Sequence, residues 1–135
     1  MPETFELEIA TPNRLLVREQ VSEAQIPAAN GYLGILPEHS PLLSLLGTGE
    51  LTYTVEGRSH ALAVSGGIVE VLPDHARVLT DFAEKAEEID AERAQEALRR
   101  AEERVKDPRE QNVDIARALN AMQRAQSRLK ASRDK

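Results

Sequence analysis

The sequence predicts an α+β protein. An N-terminal antiparallel β-sandwich or barrel over residues 1–84 is followed by a C-terminal antiparallel two-helix hairpin over residues 88–135. Three observations predict it. Up to Phe82, apolar and polar residues alternate between frequent turns. Beyond it, the chain is rich in Ala, Glu and Arg and poor in Gly. Charge divides along the same line. Residues 1–83 carry 11 acidic and 4 basic side chains, about −7, whereas residues 113–135 carry two acidic and six basic ones, about +4.

The first strand is "TFELEIAT", with Phe5, Leu7 and Ile9 on one face and Glu6 and Glu8 on the other, the period of a half-buried strand. "LLVREQVSEAQIP" reads as one longer, bulged strand. Next comes "GYLGILPEHSPL", Gly31 to Leu42. Two glycines allow positive φ, two prolines fix φ and remove donors, and the rest is largely apolar. This is a stiff, greasy turn rather than a solvated loop. "ELTYTVEGRSHALAV" is a hairpin turning near Glu56-Gly57, and "GGIVEVLPDHARVLTDF" is another, turning at Pro73-Asp74. Gly66-Gly67 marks a bulge or tight connection. Short, regularly spaced strands suggest a sandwich or barrel.

The helices follow. From Asp90 to about Lys106, Ala94, Ala97, Leu98, Ala101 and Val105 fall at helical spacing. Asp107-Pro108 ends this helix. Asn112 can cap the next, where Ile115, Ala118, Leu119, Met122, Ala125 and Leu129 form a second stripe. A short link makes the pair an antiparallel hairpin. Arg117, Arg124, Arg128, Lys130 and Arg133 give the last helix a basic character suited to an acidic partner surface.

Composition excludes several function classes. With 135 residues, 30% charged and a net charge of −6, the chain is a poor nucleic-acid binder. It has no cysteine, hence no disulfide or thiolate chemistry. No apolar run approaches the roughly 20 residues that span a bilayer, so direct membrane insertion is not expected. "MPETFELE" lacks the apolar core of a signal peptide, which points to the cytosol. His39, His60 and His75 are far apart and outside metal-ligand spacing. There is no GxSxG and no P-loop, and Ser65 has no adjacent base. A lone turn histidine such as His39 is ordinarily satisfied by a backbone carbonyl. The chain reads as non-catalytic. An adaptor module of an unrelated assembly is the alternative, separated by what the chain copurifies with. A small hydrolase would need activity in the isolated chain.

Two stretches carry a resemblance. Gly31 to Leu42 is close to the "G…GILP.H.P" signature, and Ser65-Gly66-Gly67-Ile68-Val69-Glu70-Val71 to the "GG…EV" signature, of the epsilon subunit of F-type ATP synthase. Essentially the whole chain resembles that family in order. The resemblance implies a central-stalk subunit whose β-domain meets the gamma subunit and the membrane rotor ring of c subunits, on the cytoplasmic face of the bacterial inner membrane. Tyr32, Glu38 and His39 would lie at the ring-facing end. The basic residues of the last helix would meet the beta and alpha subunits of the catalytic head and restrain ATP hydrolysis.

A third stretch, Ile89-Asp90-Ala91-Glu92-Arg93-Ala94, matches the "[IL]DxxRA" motif of epsilon subunits that bind ATP. Asp90 is a good N-cap, but Arg93 falls in the first turn, where the helix dipole disfavours a cation by a few tenths of a kcal/mol. The motif implies that Asp90 meets the adenine amino group, that Ile89 and Ala94 give apolar contact, and that Arg93 and Arg100 face phosphates. By the same pattern Glu84, Arg124 and Arg128 complete the cluster. The alternative is a surface role, with Glu96 pairing Arg100 at i,i+4. No cofactor is required, and ATP would be a regulatory ligand.

Overall fold

The computed structural model describes residues 3–107 and 112–133, the latter with side chains from Ile115 onward. Eight strands come first: β1 (Phe5–Ala10), β2 (Leu15–Val21), β3 (Glu23–Ala28), β4 (Gly31–Ile35), β5 (Leu42–Leu45), β6 (Thr48–Val55), β7 (Arg58–Val71) and β8 (His75–Lys85). A 3₁₀ turn (Ala86–Glu88) leads to α1 (Ala91–Lys106) and α2 (Asn112–Arg133). The strands run in the order β2-β1-β8-β7-β6-β3-β4, with β5 also paired to β7.

The two long strands make the sandwich. The first half of β7 pairs with β6 and its second half with β5, on the same edge. Between the halves sit Gly66 and Gly67, with φ of +76° and +123°. There β7 passes from one layer to the other. The core fills the space between layers with Leu7, Ile9, Ile26, Ile35, Leu51 and Leu62, each 1% exposed or less. Alternation accounts for this, since every second residue of a strand points inward.

Both expected hairpin turns are present. Val55 faces Arg58 across Glu56 and Gly57, whose φ of +48° and +80° make the tight two-residue turn of a twisted hairpin. The Leu72 amide donates to His75 O at 2.8 Å around Pro73-Asp74.

Four expectations need correction. Gly31 to Leu42 is only in part a turn, because Gly31–Ile35 is strand β4, laddered antiparallel to β3, and the turn is confined to the residues after it. Leu15–Pro27 is two strands, broken at Ser22, whose amide donates to Thr54 O. β2 pairs with β1, whereas β3 pairs with β4 and β6, so the break is a corner where the chain changes layer. The sheet is not wholly antiparallel, because β1 and β8 run parallel. Most of the domain separates them in sequence, so no short turn forces opposite directions. Finally, Leu119 is 42% exposed and lies outside the helical seam.

The Asp90 cap is as expected, its Oδ1 accepting from the Arg93 amide at 3.1 Å. Asp107 closes α1, while Pro108 and the Asn112 side chain lie outside the described residues. The seam between helices buries small residues: Ala94, Ala101, Ala118 and Ala125. The end of α2 lies on the outer face of the β6–β7 layer. There Ala131 packs with Ala61, Ala63, Ala86 and Ile89 in a second, smaller core.

Candidate functional site

Where β8, the start of α1 and the end of α2 converge, a cleft of about 370 Å³ opens. That volume is within the roughly 300–1,000 Å³ of small-molecule sites. Its walls include Glu84, Ile89, Asp90, Arg93, Ala94, Arg100 and Arg128, joined by Phe82, Glu88 and Ala97. Seven of the eight residues expected from sequence therefore come together, and Arg124 does not line the cleft. Arg124 lies about one turn earlier on α2, about 6 Å along the axis, where its carbonyl accepts from Ser127 Oγ at 2.9 Å.

The cleft holds cations and carboxylates in balance. Arg128 donates from Nε to Glu84 Oε1 at 3.1 Å, and its guanidinium lies 4.7 Å from the Phe82 ring centroid. Arg100 stands 3.8 Å from Glu96, the i,i+4 partner expected for a surface role. Arg14 grips Glu88 with two bonds, at 2.8 and 3.0 Å. That hydrogen bonding holds the Glu88 carboxyl below the usual carboxylate range. Ile89 turns inward to the small second core, which anchors the start of α1. Three guanidinium groups beside apolar Phe82, Ala94 and Ala97 suit a ligand with an anionic end and a flat apolar end. A larger groove of about 700 Å³, lined by Glu3, Glu6, Glu19 and Glu56 among others, has the wrong sign for such a ligand.

The other expected residues are spread out. Glu38 and His39 lie in the turn after β4. The Glu38 backbone has φ of +65°, its amide donates to Pro73 O at 2.8 Å, and His39 Nδ1 lies 2.7 Å from Ser40 O. Exposed Leu36 sits in the same turn, next to buried Ile35. Tyr32 is not with them. At the start of β4, its hydroxyl accepts from the Glu50 amide at 3.2 Å, and Lys130 lies over its ring. On α2, Arg117 and Arg133 are exposed, whereas Arg128 and Lys130 reach the β-domain. His60 stacks on Tyr53, and His75 bonds Asp74 at 2.8 Å.

One feature escaped sequence reasoning. On the outer face of the β2-β1-β8-β7-β5 layer, Leu45, Ile68, Leu79, Ala10 and Leu15 are register neighbours in turn. They form one apolar row across five strands, and its four large members are 41–64% exposed. The next row is charged, with Glu70, Arg77, Glu8 and Arg18 alternating in sign. The only sequence signal was an apolar residue at an outward position of each strand.

A family model described as ATP synthase, Delta/Epsilon chain, beta-sandwich domain matches residues 4–86. Another, described as ATP synthase, Delta/Epsilon chain, long alpha-helix domain, matches residues 87–133. The ATP synthase epsilon chain of Solibacter usitatus is 60% identical over 108 residues, 80% of this chain and 81% of the relative. The chain belongs to the ATP synthase epsilon family. The epsilon chain of Koribacter versatilis is 51% identical over 105 residues, covering 78% of this chain and 74% of the relative. Epsilon chains are non-catalytic stalk subunits, and this chain is one of them. The fold is similar to a chain in the Euglena gracilis mitochondrial ATP synthase structure (OSCP/F1/c-ring, rotational state 1). The TM-score is 0.84 at 24% identity, covering 98% of this chain and 82% of that one. Among the described residues of this epsilon chain, no helix is long and apolar enough to cross a membrane.

Proposed function

We propose that this epsilon chain couples the rotor through its β-domain and restrains ATP hydrolysis through its hairpin, with ATP as the ligand that keeps the hairpin folded. The apolar row of Leu15, Leu45, Ile68 and Leu79 is the surface for the gamma subunit, because a patch of this kind needs a cover. The stiff turn with Leu36, Glu38 and His39 meets the c-ring. The exposed cations of α2 meet the alpha and beta subunits once the hairpin extends. The site of action is the cytoplasmic face of the inner membrane.

The observation that carries the regulatory part is the cleft. Its walls come from β8, α1 and α2 together, so it is complete only when the hairpin is folded. When bound, ATP supplies an anionic phosphate chain and an apolar base. Arg93, Arg100 and Arg128 offset the charge, Asp90 holds the start of α1, and Ala94 and Ala97 accept the base. A ligand that binds only the folded form, at 100 times its dissociation constant, adds about 2.7 kcal/mol. That is enough to tip a balanced equilibrium.

Calorimetric titration of the full chain with ATP tests this. Arg93→Ala and Arg100→Ala each remove a charge-assisted contact and weaken binding about tenfold or more. Arg124→Ala leaves it nearly unchanged. Absence of heat with wild type at millimolar-range ATP overturns the proposal.

A further inference from the structure

The end of α2 is held to the β-domain in two places, and only one belongs to the cleft. Ser127 and Ala131, one turn apart, are both buried, and Ala131 rests on Ala61 and Ala63. Arg128 reaches toward β8, to Glu84 and Phe82. Lys130 reaches the other way across the sheet, since β6, β3 and β4 follow β7 in strand order. Its Nζ is 4.0 Å from Glu50 Oε1 and 5.7 Å from the Tyr32 ring centroid. Each cation thus meets one carboxylate and one aromatic ring of the β-domain.

The second clasp is built to shape. Glu50 is 6% exposed at an outward position of β6, adjacent in register to Ala63. A charge so placed needs an opposite charge above it. The Tyr32 hydroxyl accepts from the Glu50 amide, which ties the ring to the same position of β6. Gly49 makes room for it, because a Cβ there would stand 2.9 Å from the Tyr32 hydroxyl and 3.0 Å from Pro27 Cβ. Neither Tyr32, Glu50 nor Lys130 lines the cleft.

We infer that Lys130, Glu50 and Tyr32 form a nucleotide-independent latch that holds α2 on the β-domain. The latch deepens the proposed regulation and rests on the reading of the hairpin as a moving element. It sets the folded population before any ligand binds, and it assigns Tyr32 to the hairpin rather than to the ring-facing turn. A cation over a ring and against a carboxylate, with its head partly in water, is weakened by salt.

Amide hydrogen exchange of the full chain without nucleotide tests it, because exchange reads rare opening as well as frequent opening. Lys130→Gln and Tyr32→Leu should each lower protection of α2 amides 125–131 by about three- to tenfold. The double variant should fall no further than the weaker single, and Tyr32→Phe should keep most of the protection. The core amides of Leu51 and Leu62 should not change. Added salt should lower protection in wild type but not in Lys130→Gln. Because no ATP is present, failure of the nucleotide reading leaves these results standing, and Arg93→Ala should not alter them. The latch is overturned if Tyr32→Leu leaves α2 unchanged, or if α2 and the core lose protection equally. A salt-independent loss confined to Lys130→Gln would also overturn it, since that reports only local helix fraying.

Discussion

At Gly67, with φ of +123°, an added Cβ would collide with the carbonyl oxygen of Leu79. The position lies where β7 changes layer, so the neighbouring strand cannot withdraw without opening the sandwich. Gly67→Ala should cost on the order of 2–4 kcal/mol, from strain and overpacking together. Gly57 has positive φ too, but its added Cβ meets nothing within 4 Å. Gly57→Asn should therefore cost about 1 kcal/mol or less, because Asn tolerates that backbone region. Urea denaturation of both variants separates steric from purely conformational need. The Arg14–Glu88 pair makes a second residue-scale prediction. Glu88 has its folded-state value lowered from the ordinary 4.5, chiefly by Arg14. Its contribution is thus complete above pH 4.5 and fades as pH falls through the lowered value. Both side chains are well exposed, so Arg14→Leu should cost only about 0.5–1 kcal/mol near neutrality. That difference should vanish in acid. Stability measured against pH on both proteins checks the sign.

For the helices, the decisive quantity is the size of the seam. Ala101, Ala118 and Ala125 are 3%, 2% and 0% exposed. Small residues let the helices approach closely but bury little apolar area, at about 0.8 kcal/mol per CH₂ group. The hairpin is therefore weakly held along its own length, and much of its docking falls to the contacts of α2 with the β-domain. Ala125→Leu should force the helices apart at a cost of about 1–3 kcal/mol. A distance probe reads this, with labels on Gln95→Cys of α1 and Gln126→Cys of α2, both at exposed positions of a chain that has no other cysteine. Ala131 is a poor label site, being fully buried on Ala61 and Ala63. An unchanged distance distribution in Ala125→Leu would mean that the seam is more compliant than its burial suggests.

Across the whole molecule, opposite faces of the sandwich have different tasks. One outer face carries the hairpin; the other carries the apolar row beside a row of alternating charge. Ile68 and Leu79 lie at the middle of that row, and each is more than two-fifths exposed at 41% and 44%. Ile68→Glu with Leu79→Lys should leave folding within about 1 kcal/mol of wild type, as for ordinary surface changes. The same double variant should fail to join the stalk, since two charges would be buried against apolar surface. Thermal unfolding of the free chain and co-purification with the gamma subunit measure the two effects separately. Normal co-purification would move the gamma surface elsewhere on the sandwich.

Local rules were enough for the turn at Glu56-Gly57, the Asp90 cap and the small-residue helices, whereas the motif that lines the cleft was legible only through the family resemblance. Each of the first three is decided within a few residues, by allowed φ, by side-chain reach to a free amide or by a period of 2 or 3.6. The tertiary structure alone decided the corner at Ser22, the parallel β1–β8 pair, the row from Leu45 to Leu15 and the separation of Tyr32 from Glu38 and His39. It also decided that Arg128 enters the cleft while Arg124 stays outside. A strand's period says which residues share a face but not which strand lies beside it or in what register. Four outward apolar residues from four strands therefore look like isolated exceptions in the sequence. They become one surface only when the layers set them side by side.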